Sequence, residues 1–365
     1  MSDVDRIKEI EDEIQKTPYN KATSHHIGKL KAKLARLKET VESHKGIGIG
    51  GKSFGIPKSG HATVALVGHP SVGKSTLLQA ITNSKSEIAD YDFTTLDVQP
   101  GMLAYRGAMI QILDLPGLVE GAARGKGRGK EVLAVIRAAD LVVLMASAVK
   151  FEIDDILAEV QAAAIRLNRQ PPQIVISYKE RGGIDIQSTV KQTHLDEDTI
   201  KAIILELGVH SAVVILRQNV TDQDLIDAVK ANCAYIPAIL VINKVELVDA
   251  QTRRKFKQRY GNLRIVETSL TKGKGKAELL DAIFESLQLI RIYLQPRGGE
   301  PDFEQPLILR NGQDLRAVCK KLHRDLERKF RYANVWGKSA KFAGQTVGLD
   351  HQLQDEDIVT LITAR

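Results

Sequence analysis

An apolar run, ATVALV at 62–67, breaks into GHPSVGKS at 68–75 and passes directly into TLLQAITN. That order constrains the fold more than any other feature of the chain. A buried strand must deliver a tight glycine turn, and the turn must open a helix. Backbone N–H groups of such a turn converge on an anion, and the helix N-terminus adds its partial positive charge. The same string, G-x4-G-K-[ST], occurs once more at Gly46–Ser53 as GIGIGGKS. There it follows a charged helix end, ETVESHK, and precedes Phe54, Gly55 and Pro57, which cannot propagate a helix. Only the match at Gly68–Ser75 has the surroundings the chemistry needs. In it Lys74 is placed to reach phosphate oxygens, Ser75 to bind Mg²⁺ through its hydroxyl, and Gly73 to let the backbone come close. Gly68, Ser71, Val72 and Thr76 complete the expected phosphate-contacting set.

The other parts of a triphosphate hydrolase follow in order. DLPG at 114–117 ends a second apolar strand, which puts Asp114 at the carboxyl edge of a sheet. Asp114 is expected to hold Mg²⁺ and the Gly117 N–H to meet the terminal phosphate. Between them lies Phe93-Thr94-Thr95. Thr95 is expected to complete the metal shell as a switch that orders around the terminal phosphate; a β-prone Thr pair in a strand is the plain alternative. NKVE at 243–246 follows the strand AILVI. Asn243 and the stem of Lys244 would brace a purine ring, and the acidic Glu246 would accept from guanine N1–H and the 2-amino group. Most GTPases carry Asp there, and the extra methylene of Glu moves the carboxylate by more than about 1 Å. Guanine and adenine therefore both stay open at this position. Ser269, in the turn after the strand near Arg264–Thr268, is the second expected base contact. Leu118 follows Gly117, where many GTPases have a water-orienting glutamine. Leucine cannot polarise water, so turnover is expected to be slow or to depend on another group, a monovalent cation or a partner. The basic, glycine-rich GAARGKGRGK at 121–130 suits either a phosphate- or RNA-touching switch or a plain loop.

The surrounding pattern is α/β. Apolar strands at Thr63–Val67, Met109–Leu113, Leu141–Met145 and Ala238–Ile242 alternate with helical stretches, as in a doubly wound parallel sheet. One connection, residues 146–237, is far longer than the roughly 30 residues that one helix and two loops require. Its surplus beyond the helix Asp154–Leu167 reads as three short strands and two helices, Asp196–Leu207 and one capped by Thr221: an inserted α+β lobe at 169–236. Upstream, Val4, Ile7, Ile10 and Ile14, then Ile27, Leu30, Leu34, Leu37 and Val41, recur at helical spacing and predict a helical hairpin over 1–45. Its second helix carries Lys29, Lys31, Lys33, Arg36 and Lys38, either a solvated face or an RNA-facing one. The core is expected at 61–168 and 237–290, with a helix from Lys276 to about Ile290. A Pro- and Gly-rich stretch follows, then a terminal domain at 291–365 in which a helix, Gln313–Phe330, crosses a sheet.

Charge and composition narrow the class. The net charge is +7, which favours a polyanionic partner without proving one. The charged beginning, MSDVDRIKEIEDEI, and the shortness of every apolar run predict neither a secretory signal nor a membrane span, hence a cytoplasmic protein. Cys233 and Cys319 have no metal-ligand spacing and read as reduced thiols.

GHPSVGKSTL, ADYDFTTLD, DLPGLVEGAARGKGRG and the terminal PDFEQPLILR with YANVWGKSAKF together resemble the developmentally regulated GTP-binding (DRG) proteins of the Obg-like GTPases. The likeness covers nearly the whole chain. It implies a P-loop NTPase core, the small inserted lobe and a C-terminal β-grasp (TGS) domain. It also implies GTP hydrolysis to GDP and phosphate, Mg²⁺ as cofactor, potassium as a further activating cation, and ribosome or structured RNA as partner. A protein activator fits the missing glutamine. Two positions depart from the family pattern: Glu246 replaces Asp, and Leu270 stands where Ala is usual. Ser71 stands where potassium-activated relatives often have Asn. A related Obg-like branch with a TGS domain has an altered base motif and prefers ATP. An ATPase, or an RNA-binding module gated by nucleotide, remains the alternative.

Overall fold

The computed structural model describes residues 3–18, 20, 23–44, 58–82, 98–116 and 129–364. Its central element is a six-stranded sheet in the order Arg264–Glu267, Ala238–Asn243, Leu141–Ser147, Ala62–Gly68, Ala108–Asp114, Gln99–Tyr105. Five strands run parallel; Gln99–Tyr105 pairs antiparallel with Ala108–Asp114 at one edge. The middle strands are buried throughout, so they read as unbroken apolar runs rather than as alternation. The expected doubly wound sheet is present. The antiparallel edge strand is not legible in the sequence, because Pro100-Gly101 looks like a break and is tolerated only at an edge.

Register carries the functional consequence. Gly68 lies opposite Met145, Leu66 opposite Asp114, and Asn243 opposite Ser147. Four strands therefore release their following loops at one carboxyl edge, the place where open α/β sheets bind ligands.

The described residues fall into two compact units. One comprises those within Phe54–Asn168 and Ile236–Arg365, the other those within Met1–Ser53 and Arg169–Tyr235. In the second, the helices Asp3–Lys16 and Ser24–His44 pack together as a hairpin. The second hairpin helix lies against Glu197–Glu206 and Asp222–Lys230 of the inserted segment. A Cβ on Gly28 would sit 2.9 Å from Ile203 Cδ1, so glycine permits this close approach. Ala32 joins Ile200, Ile203, Ile204 and Val214 in a shared core. Several of the basic side chains are taken up locally: Lys31 pairs with Asp222 at 2.7 Å and Lys38 with Glu11 at 2.9 Å. Lys29 and Lys33 remain exposed.

Within the first unit, a five-stranded sheet follows the core in the order Leu307–Arg310, Leu289–Leu294, Asp357–Thr363, Phe330–Trp336, Gln345–Val347. Three expected helices come out shorter. Asp154–Leu167 stops at Ala162, and Ile165–Leu167 is extended. Lys276–Ile290 stops at Ser286, because LQLIRIYL supplies strand partners for Leu307–Arg310. Gln313–Phe330 ends at Leu322 and resumes for a single turn at Leu326–Lys329. The apolar spacing runs on through Leu322 and Leu326, but His323 is extended and Arg316 bridges the break to Glu327 at 3.0 Å.

At the amino-terminal edge of the large sheet, Asp140 accepts from Thr63 N at 2.8 Å, Arg310 at 2.7 Å and Lys58 at 3.1 Å. Its side chain is 10% exposed. Burial alone would raise its pKa; Arg310, the Thr63 N–H and Lys58 outweigh that and hold it below the usual carboxylate range. A carboxyl depressed in the folded state stabilises above its unfolded pKa, and the effect is lost as pH falls through the folded one. Asp140→Asn is therefore expected to cost about 1–3 kcal/mol at pH 7, read as a lower Tm. The gap to wild type should close as pH drops below about 4; an equal gap at pH 7 and pH 3 would refute this.

Candidate functional site

The loop after Ala62–Gly68 is built by two positive-φ positions and one close approach. Ser71 has φ 63° and Gly73 φ 103°, both left-handed. A Cβ at Gly73 would lie 2.7 Å from Asn243 Nδ2, so only glycine fits where the base loop meets the phosphate loop. Val72 turns its side chain into the core, 5% exposed, leaving only its backbone to the loop. Its carbonyl accepts from Asn243 Nδ2 at 3.0 Å, and the Ser71 carbonyl from Lys244 Nζ at 3.1 Å. Two loops widely separated in sequence are thus tied directly together.

The helix Lys74–Ile81 opens at once behind Gly73. Lys74 Nζ donates to the carbonyls of Gly68 at 2.9 Å and His69 at 3.0 Å. Burial pulls its pKa below the ordinary lysine value, with Asp114 acting in the opposite sense. Ser75 Oγ donates to Asp114 Oδ2 at 2.7 Å. Asp114 is 8% exposed, and its Oδ1 is buried with no hydrogen-bond partner among the described residues. A buried carboxylate oxygen left bare is costly unless something cationic or protic completes it. Among the described residues no cluster of three or more His, Cys, Asp or Glu could hold a metal. One hydroxyl and one carboxylate beside a phosphate cradle nevertheless fit Mg²⁺, which binds through one or two protein oxygens, waters and ligand phosphates.

The base side of the cleft is equally ordered. Asn243, 4% exposed, also accepts through Oδ1 from Leu270 N at 3.3 Å. Thr268 and Ser269 are fully enclosed. Glu246 Oε1 accepts from Thr271 Oγ1 at 3.2 Å, while Oε2 is buried without a partner among the described residues. Its own backbone N–H, then the hydroxyls of Ser269 and Thr271, hold its carboxyl below the usual range. It is ionised at neutral pH and can only accept.

A cleft of about 330 Å³ runs between these two sides, lined by Gly73, Lys74, Ser75 and Thr76 on one and Asn243 and Glu246 on the other. Gly68, Ser71, Val72, Asp114, Lys244 and Ser269 surround it at the same edge of the sheet. Thr95, Gly117 and Leu118 lie outside the described residues, as does the second glycine string, Gly46–Ser53. Thr271 is the residue that sequence reasoning missed. Its only signal was a hydroxyl two positions after Ser269 in the same turn.

Comparison with known proteins agrees with this architecture. The sequence profile described as "50S ribosome-binding GTPase" matches residues 63–179, and one for the C-terminal region of the same domain matches 181–289. A TGS domain matches 290–363. An uncharacterized GTP-binding protein of Methanocaldococcus jannaschii is 50% identical, covering 99% of this chain and 93% of its own length. The developmentally regulated GTP-binding protein 1 homolog of Dictyostelium discoideum is 44% identical over 99% of this chain and all of its own. The chain belongs to the developmentally regulated GTP-binding protein family. It therefore carries a P-loop GTPase domain and a C-terminal TGS domain. The solved YchF GTPase of Schizosaccharomyces pombe is 14% identical and covers 84% of this chain and 98% of its own, with a TM-score of 0.46. The TGS match begins at residue 290, directly after the GTPase match ends at 289. No helix among the described residues is long and apolar enough to cross a membrane.

Proposed function

We propose that this DRG protein binds GTP with Mg²⁺ in the 330 Å³ cleft and hydrolyses it as a slow molecular switch. The observation that carries this is the Ser75–Asp114 pair with its bare Oδ1, set beside Lys74 at a helix N-terminus. Mg²⁺ held by Ser75 and Asp114 would neutralise charge on the phosphate oxygens. Lys74, turning from the carbonyls it now holds, would supply a fixed positive charge on the other side. The backbone of 69–73 orients the phosphates, and Thr95 and Gly117 are assigned to the terminal phosphate on sequence grounds alone. The test is direct: purified protein titrated with GTP, GDP and ATP in the presence and absence of Mg²⁺. Absence of Mg²⁺-dependent GTP binding and turnover sinks the proposal.

The base loop favours guanine over adenine. Glu246 Oε2 lies bare beside the cleft and needs a donor. Guanine offers two, N1–H and the 2-amino group; adenine offers the lone pair of N1, which an ionised carboxylate repels. Thr271 makes the longer side chain workable by fixing where its carboxylate sits. Thr271→Val keeps the shape and removes the hydroxyl. A lost hydrogen bond to a charged group is worth about 1.5 kcal/mol or more, so discrimination between GTP and ATP should fall roughly tenfold. Thr271→Ser should retain it, and Glu246→Asp should change the ratio again. If Thr271→Val leaves the GTP-to-ATP affinity ratio unchanged, the tether has no role in base choice.

The switch is assigned to ribosomes or structured RNA. The matched GTPase profile is described by ribosome binding, and the chain carries a net charge of +7. Contacts from Lys and Arg to phosphate release counterions, so binding should weaken steeply with salt. Cosedimentation with ribosomes in the GTP- and GDP-loaded states, across a salt series, tests both points.

A further inference from the structure

A second cleft, of about 420 Å³, opens beside His61, at the amino-terminal end of the strand Ala62–Gly68 whose other end leads into the phosphate loop. Its floor is Leu289, Ile308 and Leu309, and its polar lining is His61, Arg310, Lys320 and Lys321, with Gln313 at the edge. No aspartate or glutamate is among the residues that line it. We propose that this cleft binds a small phosphate-bearing anion, and that it is a site distinct from the nucleotide cleft. The proposal goes beyond the GTPase reading and does not rest on it.

Geometry makes the case. His61 Nδ1 accepts from the Met109 N–H at 2.9 Å, so the neutral ring carries its proton on Nε2. The Lys321 ammonium donates to the Ile308 carbonyl and has no carboxylate partner among the described residues. Arg310 is held in place by Asp140 at 2.7 Å, and Lys320 lies 3.7 Å from Glu327. The basic groups facing the cleft are thus donors, the Gln313 carbonyl oxygen is taken by the Arg310 N–H, and the acids nearby, Asp140 and Glu327, are already engaged. Asp140 also takes Lys58.

The electrostatics agree. Burial and then the charge of Lys321 push the His61 pKa down; burial does the same to Lys321. Burial disfavours the charged form of both groups, and a bound anion would offset that by favouring it. The volume suits a small molecule, and small-ligand sites combine an apolar lining with a few fixed polar groups. A long polyanion needs an extended groove instead. The strand Ala62–Gly68 separates the two clefts by its seven residues, roughly 20 Å at the rise of a β-strand.

The experiment uses the full chain saturated with GDP and Mg²⁺, so that added phosphate cannot report from the nucleotide cleft. Inorganic phosphate and phenyl phosphate are titrated while the His61 ring resonance, assigned by its loss in His61→Gln, is followed by NMR; sodium chloride at matched ionic strength is the control. We expect saturable movement of that resonance, an upward shift of its titration midpoint, and tighter binding of phenyl phosphate than of phosphate because of the apolar floor. Lys321→Met should weaken binding about tenfold, while Lys321→Arg largely preserves it. Lys320→Met, at a solvent-exposed position, is a second variant should Lys321→Met fail to fold. A resonance that responds no more to either phosphate than to chloride overturns the proposal, as does undiminished binding in both methionine variants. Movement produced by single-stranded RNA but by neither phosphate would overturn the small-ligand assignment in favour of nucleic acid.

Discussion

Lys74→Ala is expected to lower GTP turnover by about 10²- to 10³-fold, the range seen when one preorganised charge-stabilising group is removed. The reason lies in where Lys74 sits. Its ammonium is partly desolvated and held within the loop by the Gly68 and His69 carbonyls, so it has only to exchange those acceptors for phosphate oxygens beside them. Lys74→Arg should not rescue, because a planar guanidinium cannot replace a compact ammonium inside a turn this tight. Single-turnover hydrolysis with protein in excess separates the effect on chemistry from that on binding. Turnover within threefold of wild type in Lys74→Ala would remove Lys74 from the mechanism and with it the assignment of the cleft.

The second large effect is expected at Asp114. Asp114→Asn keeps an acceptor for Ser75 Oγ, so the hydroxyl is not orphaned and the fold should survive. It removes the negative charge and the bare oxygen that Mg²⁺ requires. Altering such a group typically costs 10- to 100-fold in metal affinity. The ratio of GTP affinity with and without Mg²⁺ should therefore shrink by about that factor in the variant. Nucleotide binding measured in excess chelator should change far less. If the Mg²⁺ dependence is the same in Asp114→Asn and wild type, the metal sits elsewhere.

Much of this arrangement was readable in advance because it depends on local order. An apolar strand, a glycine turn and a helix follow one another within 62–81, and each constrains the next. The strands around Met109, Leu141 and Ala238 were legible for a related reason: buried parallel strands are continuous apolar runs. What could not be read depends on distant partners. Gln99–Tyr105 becomes a strand only because Ala108–Asp114 offers it an edge. The helix expected from Gln313 to Phe330 has the right spacing, but it breaks at the extended His323 and its last residue, Phe330, opens the strand Phe330–Trp336 instead. Thr271 matters through Glu246, and His61 through Lys321; each pair meets only in the folded chain. The apparent liability of Glu246 at the sequence level looks different once Thr271 is beside it.

The helical hairpin and the inserted segment form one core, although residues 54–168 intervene between them in the chain. During synthesis the helix Ser24–His44 emerges long before Glu197–Glu206 and Asp222–Lys230, the helices that cover it. At elongation rates of about 5–20 residues per second, its apolar stripe stays bare for on the order of ten seconds or more. Ile27, Leu30 and Ala32 are then available to any other apolar surface, including the hairpin of a neighbouring nascent chain. A nascent chain halted at Asn168 would hold that state permanently and should self-associate, whereas one halted after Tyr235 should not.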